Sequence, residues 1–134
     1  MSLIVHIRKR LHNFELISDF ETDGQLALLG ASGSGKSMTL KCIAGIEKPD
    51  SGYIELNGRV LYDSSKHINI QPQKRNVGYL FQNYALFPNM TVKKNILVAM
   101  KTENKTEKLN YLIDEFYIRD IQDKYPGEIS GGQQ

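Results

Sequence analysis

The chain has 134 residues, of which 40% are hydrophobic and 24% are charged, and its formal net charge is +2. This length is typical of one domain, and the composition is ordinary for a soluble globular protein. The net charge is too small to argue for nucleic acid or an acidic membrane surface as a partner.

Two further properties restrict the setting in which the chain works. Cys42 is the only cysteine, which excludes an internal disulfide and favours a reducing, cytoplasmic compartment. The longest apolar stretches have four or five residues, as in 26–29 and 96–100, whereas a membrane span needs about 20. We therefore expect no direct membrane insertion, and any link to a membrane would run through a partner protein.

The first third of the chain predicts strands and one helix. Residues 2–8 and 14–20 are β-prone and partly alternating, and we expect them to pair as antiparallel strands. Residues 25–29 form a short apolar run, which favours a strand buried on both faces, as in a parallel sheet. After a glycine-rich loop, residues 36–44 predict a helix that ends at Gly45.

The middle of the chain predicts a hairpin at Asn57-Gly58, between the apolar-rich runs 53–56 and 59–62. This pair suits a type I′ turn, which requires positive φ at both central positions. Residues 69–76 predict a polar loop, and residues 77–81 predict a second buried strand.

The remainder of the chain has a helical pattern. Apolar residues recur at near-helical spacing from Val92 to Met100 and from Leu109 to Tyr117. The composition changes from strand-rich to helix-rich near residue 83, which indicates a boundary between two subdomains, 1–82 and 83–134.

The glycine-rich loop has the sequence Gly30-Ala31-Ser32-Gly33-Ser34-Gly35-Lys36-Ser37, which matches G-x-x-x-x-G-K-[ST]. Glycines lack Cβ atoms, so several backbone N–H groups can converge on one anion, and the following helix adds its positive end. Lys36 would supply a charge to the β- and γ-phosphates, and the Ser37 hydroxyl would ligate Mg²⁺. A flexible Gly/Ser linker is the plainer alternative, but a chance match has odds of about half a percent.

A second motif stands at Ser130-Gly131-Gly132-Gln133. Together with Ile129 it resembles the L-S-G-G-Q signature of ABC ATPases, with isoleucine in place of leucine. Gln82 follows the run 77–81 as the Q-loop glutamine of that family does, and residues 84–88 resemble the segment after it in importer subunits. A polar turn and an ordinary loop glutamine are the plainer alternatives, which the order of the three motifs disfavours.

The resemblance covers the whole chain and implies an α/β fold. The implied architecture is a P-loop NTPase core with an antiparallel β subdomain (1–82), followed by the start of a helical subdomain (83–134), truncated after the signature motif. It also implies ATP and Mg²⁺ as cofactors, with Ser37 and Gln82 at the metal and Gln82 in a catalytic role. The expected nucleotide-binding residues are Phe14, Gly30, Ala31, Ser32, Gly33, Ser34, Gly35, Lys36, Ser37, Met38, Ser130, Gly131, Gly132 and Gln133.

Two of these assignments have particular content. In this family two subunits sandwich two ATP molecules, so the resemblance implies that Ser130–Gln133 contact the nucleotide held on the other subunit. Phe14 is our candidate for stacking on the adenine, although an aromatic residue in a strand is more often part of a core.

The resemblance also implies partners and a location. The chain would form a homodimer of ATPase subunits and bind membrane-spanning permease subunits, at the inner face of the plasma membrane and without nucleic acid. Residues 57–63 and 72–79 look most like those of molybdate-importer subunits, and related anion, sugar and metal importers carry similar stretches.

The chain ends at Gln134, immediately inside the signature. The acidic Mg²⁺ ligand, the catalytic glutamate and the switch histidine of the family would follow it, so we expect this chain to bind nucleotide without hydrolysing it. A non-catalytic nucleotide-binding or interaction module is the alternative. A soluble ABC ATPase of DNA repair or translation is a third, which the importer-like 84–88 segment disfavours.

Overall fold

The computed structural model describes residues 1–12, 14–101 and 103–134. It divides into two compact units, Met1–Tyr79 and Leu80–Gln134.

The first unit is built on an antiparallel sheet of five strands. These are β1 (Ser2–Arg10), β2 (Glu15–Asp23), β3 (Ser51–Leu56), β4 (Arg59–Asp63) and β5 (Ile68–Asn69). Their order across the sheet is β2-β1-β3-β4-β5, and every neighbouring pair runs antiparallel. Two helices complete the unit, α1 (Lys36–Ala44) and the short α2 (Pro72–Arg75).

One face of this sheet carries the core. Val5 and Ile7 alternate along β1 and are buried, which is the period of two that a half-buried strand requires. Ile54 of β3 and Leu61 of β4 join the same cluster, as do Cys42 and Ile43 of α1. The helix that follows the glycine-rich loop is therefore anchored in the core of the sheet.

Several predicted elements are confirmed. The strands β1 and β2 pair antiparallel from Ser2↔Asp23 to Arg10↔Glu15, and both are longer than the sequence predicted. The helix over 36–44 has the predicted bounds. Asn57 and Gly58 have φ angles of 51° and 76°, so the hairpin turn has the positive φ at both positions that its sequence demanded.

The prediction of buried strands at 25–29 and 77–81 is wrong. Neither run is a strand, Leu29 is 92% exposed and Leu80 is 80% exposed. A parallel strand exists only when a neighbouring strand satisfies its backbone groups, and the sheet of the described residues gives these runs no such neighbour. The predicted loop 69–76 also differs, since Asn69 ends β5 and α2 forms over residues 72–75.

The second unit is helical. It contains α3 (Val92–Ala99), α4 (Lys105–Glu115) and three single-turn 3₁₀ helices at Arg119–Ile121, Pro126–Glu128 and Gly131–Gln133. The Thr91 hydroxyl accepts a hydrogen bond from the Lys94 amide at 3.4 Å and so caps α3. None of the helices in the described part of the chain has the length and apolar character that a membrane crossing requires.

Candidate functional site

All three glycines of the loop 30–35 have positive φ, which side chains rarely adopt, and two of them lie close to a neighbouring side chain. Gly35 has φ 93°, and a Cβ there would lie 2.5 Å from Leu16 Cδ1, on a side chain buried in β2. A Cβ on Gly30 would lie 2.9 Å from the Ser34 hydroxyl oxygen. The glycines therefore allow the loop to fold tightly on itself and against β2.

The start of α1 is fastened to the same strand. The Thr39 amide donates to the Gly35 carbonyl at 2.9 Å, as the first helical hydrogen bond. The Thr39 hydroxyl lies 3.2 Å from that carbonyl and 2.7 Å from the Ser18 hydroxyl of β2. The free N–H groups of the first turn of α1 are thus held in a fixed direction at the end of the loop.

Lys36 bends back over the loop that precedes it. Its Nζ donates to the carbonyl oxygens of Gly30 and Ala31, both at 2.7 Å, and lies 3.3 Å from the Ser34 hydroxyl. Its bonded partners are therefore all oxygens of the loop itself. The ammonium group, the loop and the helix start form one positively polarised cradle, which suits a phosphate group.

An open groove of about 460 Å³ adjoins this cradle. It is lined by Phe14, by the first three residues of β2 (15–17) and by residues 31–34 of the loop. Phe14, at the entrance to β2, is 41% exposed. The structure thus brings the candidate stacking residue and the loop to one groove, where a flat ring could lie on Phe14 while its phosphates reach the loop.

Ser37 and Met38 occupy the first turn of α1 with different surroundings. Ser37 is exposed, so its hydroxyl is accessible beside the cradle, and hydroxyl oxygen is a hard ligand of the kind Mg²⁺ accepts. The side chain of Met38 is half-buried and packs against the core cluster. The residues present therefore fit a triphosphate with one Mg²⁺, for which the Ser37 hydroxyl would be a suitable ligand.

The opposite end of α1 carries Cys42, which is fully buried. Burial raises the pKa of this thiol to about 11. The thiolate is therefore scarce at neutral pH, and Cys42 acts as a small apolar side chain in the core.

Gln82 lies in the second unit, in an exposed turn over residues 82–85. Tyr84 and Ala85 have positive φ angles of 57° and 52° in this turn. Farther along, the side-chain oxygen of Asn95 accepts a hydrogen bond from the Phe87 N–H at 2.8 Å. The side-chain nitrogen of Asn95 donates to the Met90 carbonyl at 3.1 Å, so residues 87–90 are tied to α3.

The residues Ser130–Gln133 also lie in the second unit, on its surface. Ser130 precedes the last 3₁₀ helix, and its amide donates to Gln133 Oε1 at 2.9 Å. The Gln134 side-chain amide donates to the Pro126 carbonyl at 2.8 Å. Ser130, Gly131 and Gly132 are exposed, and the Ser130 hydroxyl lies 3.2 Å from the same Gln133 Oε1.

The structure thus gathers part of the predicted site within one unit. Phe14, the loop 30–35, Lys36 and Ser37 share the first unit, whereas Gln82 and residues 130–133 belong to the second. The supporting contacts of Leu16, Ser18 and Thr39 were not predicted. The alternation of Leu16, Ser18 and Phe20 along β2 was the available signal, since it places all three side chains on one face.

Comparison with known proteins gives concordant matches. A sequence model described as "ABC transporter" matches residues 14–134. The sulfate/thiosulfate import ATP-binding protein CysA of Synechocystis sp. is 39% identical over 147 residues, which cover 100% of this chain and 39% of that protein. The molybdenum import ATP-binding protein ModC of Paramagnetospirillum magneticum is 35% identical over 136 residues, covering 98% of this chain and 38% of that protein.

Among solved structures, a dimeric ATP-binding cassette in a post-hydrolysis state bound to ADP and Pi superimposes with a TM-score of 0.71 at 21% identity. The match covers 99% of this chain and 65% of that one. The chain therefore has the fold of an ATP-binding cassette, and it spans about two fifths of the length of the two curated relatives, 39% and 38%.

Proposed function

The chain belongs to the ABC transporter family, and from this premise we propose that it binds Mg-ATP as the nucleotide-binding part of an importer's ATP-binding subunit. The observation that carries the proposal is the cradle formed by the loop 30–35, the first turn of α1 and the Lys36 ammonium. A helix start and one full positive charge meet at this exposed loop, which is the arrangement that suits a triphosphate.

Within the cradle each residue has a distinct task. Lys36 neutralises charge on the β- and γ-phosphates, and to do so its Nζ exchanges the carbonyls of Gly30 and Ala31 for phosphate oxygens. The backbone amides of residues 33–38 bind the phosphates and fix their orientation. Phe14 stacks on the adenine at the other end of the shared groove.

The metal ion belongs to the same site. Bound Mg²⁺ would neutralise charge between the phosphates, and the Ser37 hydroxyl would supply one of its ligands. Gln82 is proposed to contact the metal or to orient the attacking water with its side-chain amide. Hydrolysis is a property that we propose for the whole protein, whose relatives extend well beyond the length spanned here.

The remaining assignments follow from the same premise. Residues 130–133 would bind the γ-phosphate of a nucleotide held by a second subunit, through the Ser130 hydroxyl and the backbone N–H groups of Gly131 and Gly132. The subunits would dimerise and drive permease subunits from the inner face of the plasma membrane. The names of the relatives, which concern sulfate, thiosulfate and molybdenum, favour an oxyanion such as molybdate as the cargo.

The test of binding is the substitution Lys36→Ala. Loss of the ammonium group should weaken Mg-ATP about 100-fold in isothermal titration calorimetry, because a hydrogen bond to a charged group is worth about 1.5 to 3 kcal/mol. Lys41→Ala is the matched control, since it removes the same charge from the last turn of the same helix. Equal affinities for Lys36→Ala and the unmodified chain would place the nucleotide elsewhere.

A further inference from the structure

Arg75 is a buried cation that is not among the residues proposed to bind the nucleotide. It ends α2, and only 1% of its surface is exposed. Its guanidinium donates four hydrogen bonds, all to uncharged oxygens. The acceptors are the carbonyls of Ile70, Cys42 and Ile43 and the side-chain oxygen of Asn69. Among the described residues it has no carboxylate partner.

Such a group is costly to bury, so its contacts indicate what it stabilises. Burial lowers the pKa of Arg75, yet a guanidinium stays protonated in proteins, so a full charge lies inside the first unit. Burial of an arginine is tolerated only where hydrogen bonds replace the lost hydration of the guanidinium. Here four of its five N–H groups donate, three at 2.7 to 2.8 Å and one at 3.0 Å.

Two of these bonds hold the C-terminal end of α1. Arg75 Nη1 donates to the carbonyls of Cys42 and Ile43, both at 2.8 Å. Carbonyls in the last turn of a helix lack partners within it and carry partial negative charge, so a cation is stabilising there. The other two bonds fasten the same guanidinium to Ile70 and Asn69, beside the edge strand β5.

Gly45 provides independent geometric support. It ends α1 with φ 80°, and a Cβ at this position would lie 2.5 Å from Arg75 Nε and 2.8 Å from Cζ. The helix end and the guanidinium are therefore in direct contact, and the glycine leaves the room for it. At the other end of α1, the Ser18–Thr39 pair ties the helix to β2.

We propose that Arg75 is a positioning residue for nucleotide binding: by holding the C-terminal end of α1, it sets the direction in which the first turn and Lys36 face the phosphates. Cys42 lies six residues beyond Lys36, or about 9 Å along the helix, and a two-turn helix moves as one body. Fixing its end and its start therefore fixes where its N–H groups point. The proposal rests on the proposed function, since it concerns the same phosphate site.

The test compares Arg75→Met and Arg75→Lys with Arg59→Met. Arg59 is an exposed arginine whose Nη2 donates to the Lys74 carbonyl at 2.9 Å, so its loss removes the same charge beside α2 without touching α1. Mg-ATP affinity is measured on samples that circular dichroism shows to be folded. We expect Arg75→Met to weaken binding at least about fivefold, Arg75→Lys to weaken it less, and Arg59→Met to leave it within about twofold.

A merely structural role would give a different result. In that case Arg75→Met would lower the unfolding midpoint and leave the affinity of the folded chain unchanged, which would overturn the proposal. If Arg75→Met does not fold, Arg75→Lys decides, because it keeps the charge and cannot make all the bonds of the fork. Unchanged affinity in a folded Arg75→Lys chain would likewise overturn it.

A second measurement separates this inference from the proposed function. Amide chemical shifts of residues 34–37 are recorded in the nucleotide-free chain for both methionine variants. Arg75→Met should move them and Arg59→Met should not, even if the unmodified chain binds no Mg-ATP and the proposed function fails. Unmoved shifts in Arg75→Met would show that Arg75 does not position the loop.

Discussion

The two glycine-rich segments of this chain, 30–35 and 130–133, are held in different ways. The first depends on residues far away in the sequence: Leu16 packs against Gly35, Ser18 bonds Thr39, and Arg75 holds the far end of α1. The second depends on its own neighbourhood. Ser130 bonds Gln133, and Gln134 bonds Pro126, eight residues away.

This difference bears on what each segment can do alone. A loop fixed by a sheet, a helix and a buried cation is preorganised, so it has little ordering entropy to lose when it binds phosphate. A surface segment held by local bonds, with its serine and glycines exposed, is expected to gain its full set of contacts only from a second molecule. The structure of the cradle should therefore depend on the stability of the first unit, and the structure of segment 130–133 should depend on the stability of the second.

The largest effects should come from the two cores. Ile54 in the first unit and Ile113 in the second are both buried, and truncation of either to alanine should cost about 3 kcal/mol of the free energy of unfolding. At urea concentrations near the lowered unfolding midpoint of each variant, Ile54→Ala should weaken Mg-ATP binding and Ile113→Ala should not. Urea melts give the midpoints, and calorimetry gives the affinities. Equal losses of affinity would mean that the cradle depends on both units.

A smaller effect separates the two sets of glycines. Gly35→Ala places a Cβ at φ 93° and against Leu16, which should cost about 1 to 3 kcal/mol of stability and abolish tight Mg-ATP binding. Gly132→Ala is the matched change in the other segment, since a Cβ there meets no atom within 4 Å and φ is not positive. It should leave both properties of the single chain unchanged, and a comparable loss there would break the comparison.

The smallest effect concerns the strand pair that supports the loop. His6 of β1 bonds Asp19 of β2 at 2.7 Å, and this hydrogen bond raises the pKa of His6 above 6.5. Because the folded-state pKa lies above the unfolded one, the added stability is fully present below about pH 6.5 and is lost as the pH rises through the folded value. Both groups are exposed, so the gain is small.

Asp19→Asn checks this directly. The substitution should bring the pKa of His6, followed by the NMR signal of its ring proton, down toward 6.5. It should also flatten the pH dependence of the urea midpoint. A pKa that does not change would show that the His6–Asp19 pair contributes nothing to the stability of β1 and β2.

How far the sequence alone could lead depends on the range of the interactions. The turn at Asn57-Gly58 and the helix 36–44 were predictable because their determinants lie within a few residues. The apolar runs 25–29 and 77–81 read as buried strands, but a strand also needs a partner, and local pattern says nothing of partners.

The site shows the same limit. The phosphate loop could be predicted from its motif, because the residue types of the motif follow from the chemistry of phosphate binding. It could not reveal that Leu16 and Thr39 brace the loop, because these contacts cross about 20 residues of sequence. Arg75 was hidden altogether: an arginine in a polar segment reads as a surface residue, and its burial against α1 is visible only in three dimensions.

The central claim is that the cradle beside Lys36 binds the phosphates of a nucleotide, and amide chemical shifts of the folded chain titrated with Mg-ATP test it most directly. We predict that the largest changes fall on residues 30–38, with smaller ones at Phe14, and that Lys36→Ala shifts their midpoint to about 100-fold higher Mg-ATP concentration. Changes centred elsewhere in the chain, or none at saturating Mg-ATP, would contradict the account.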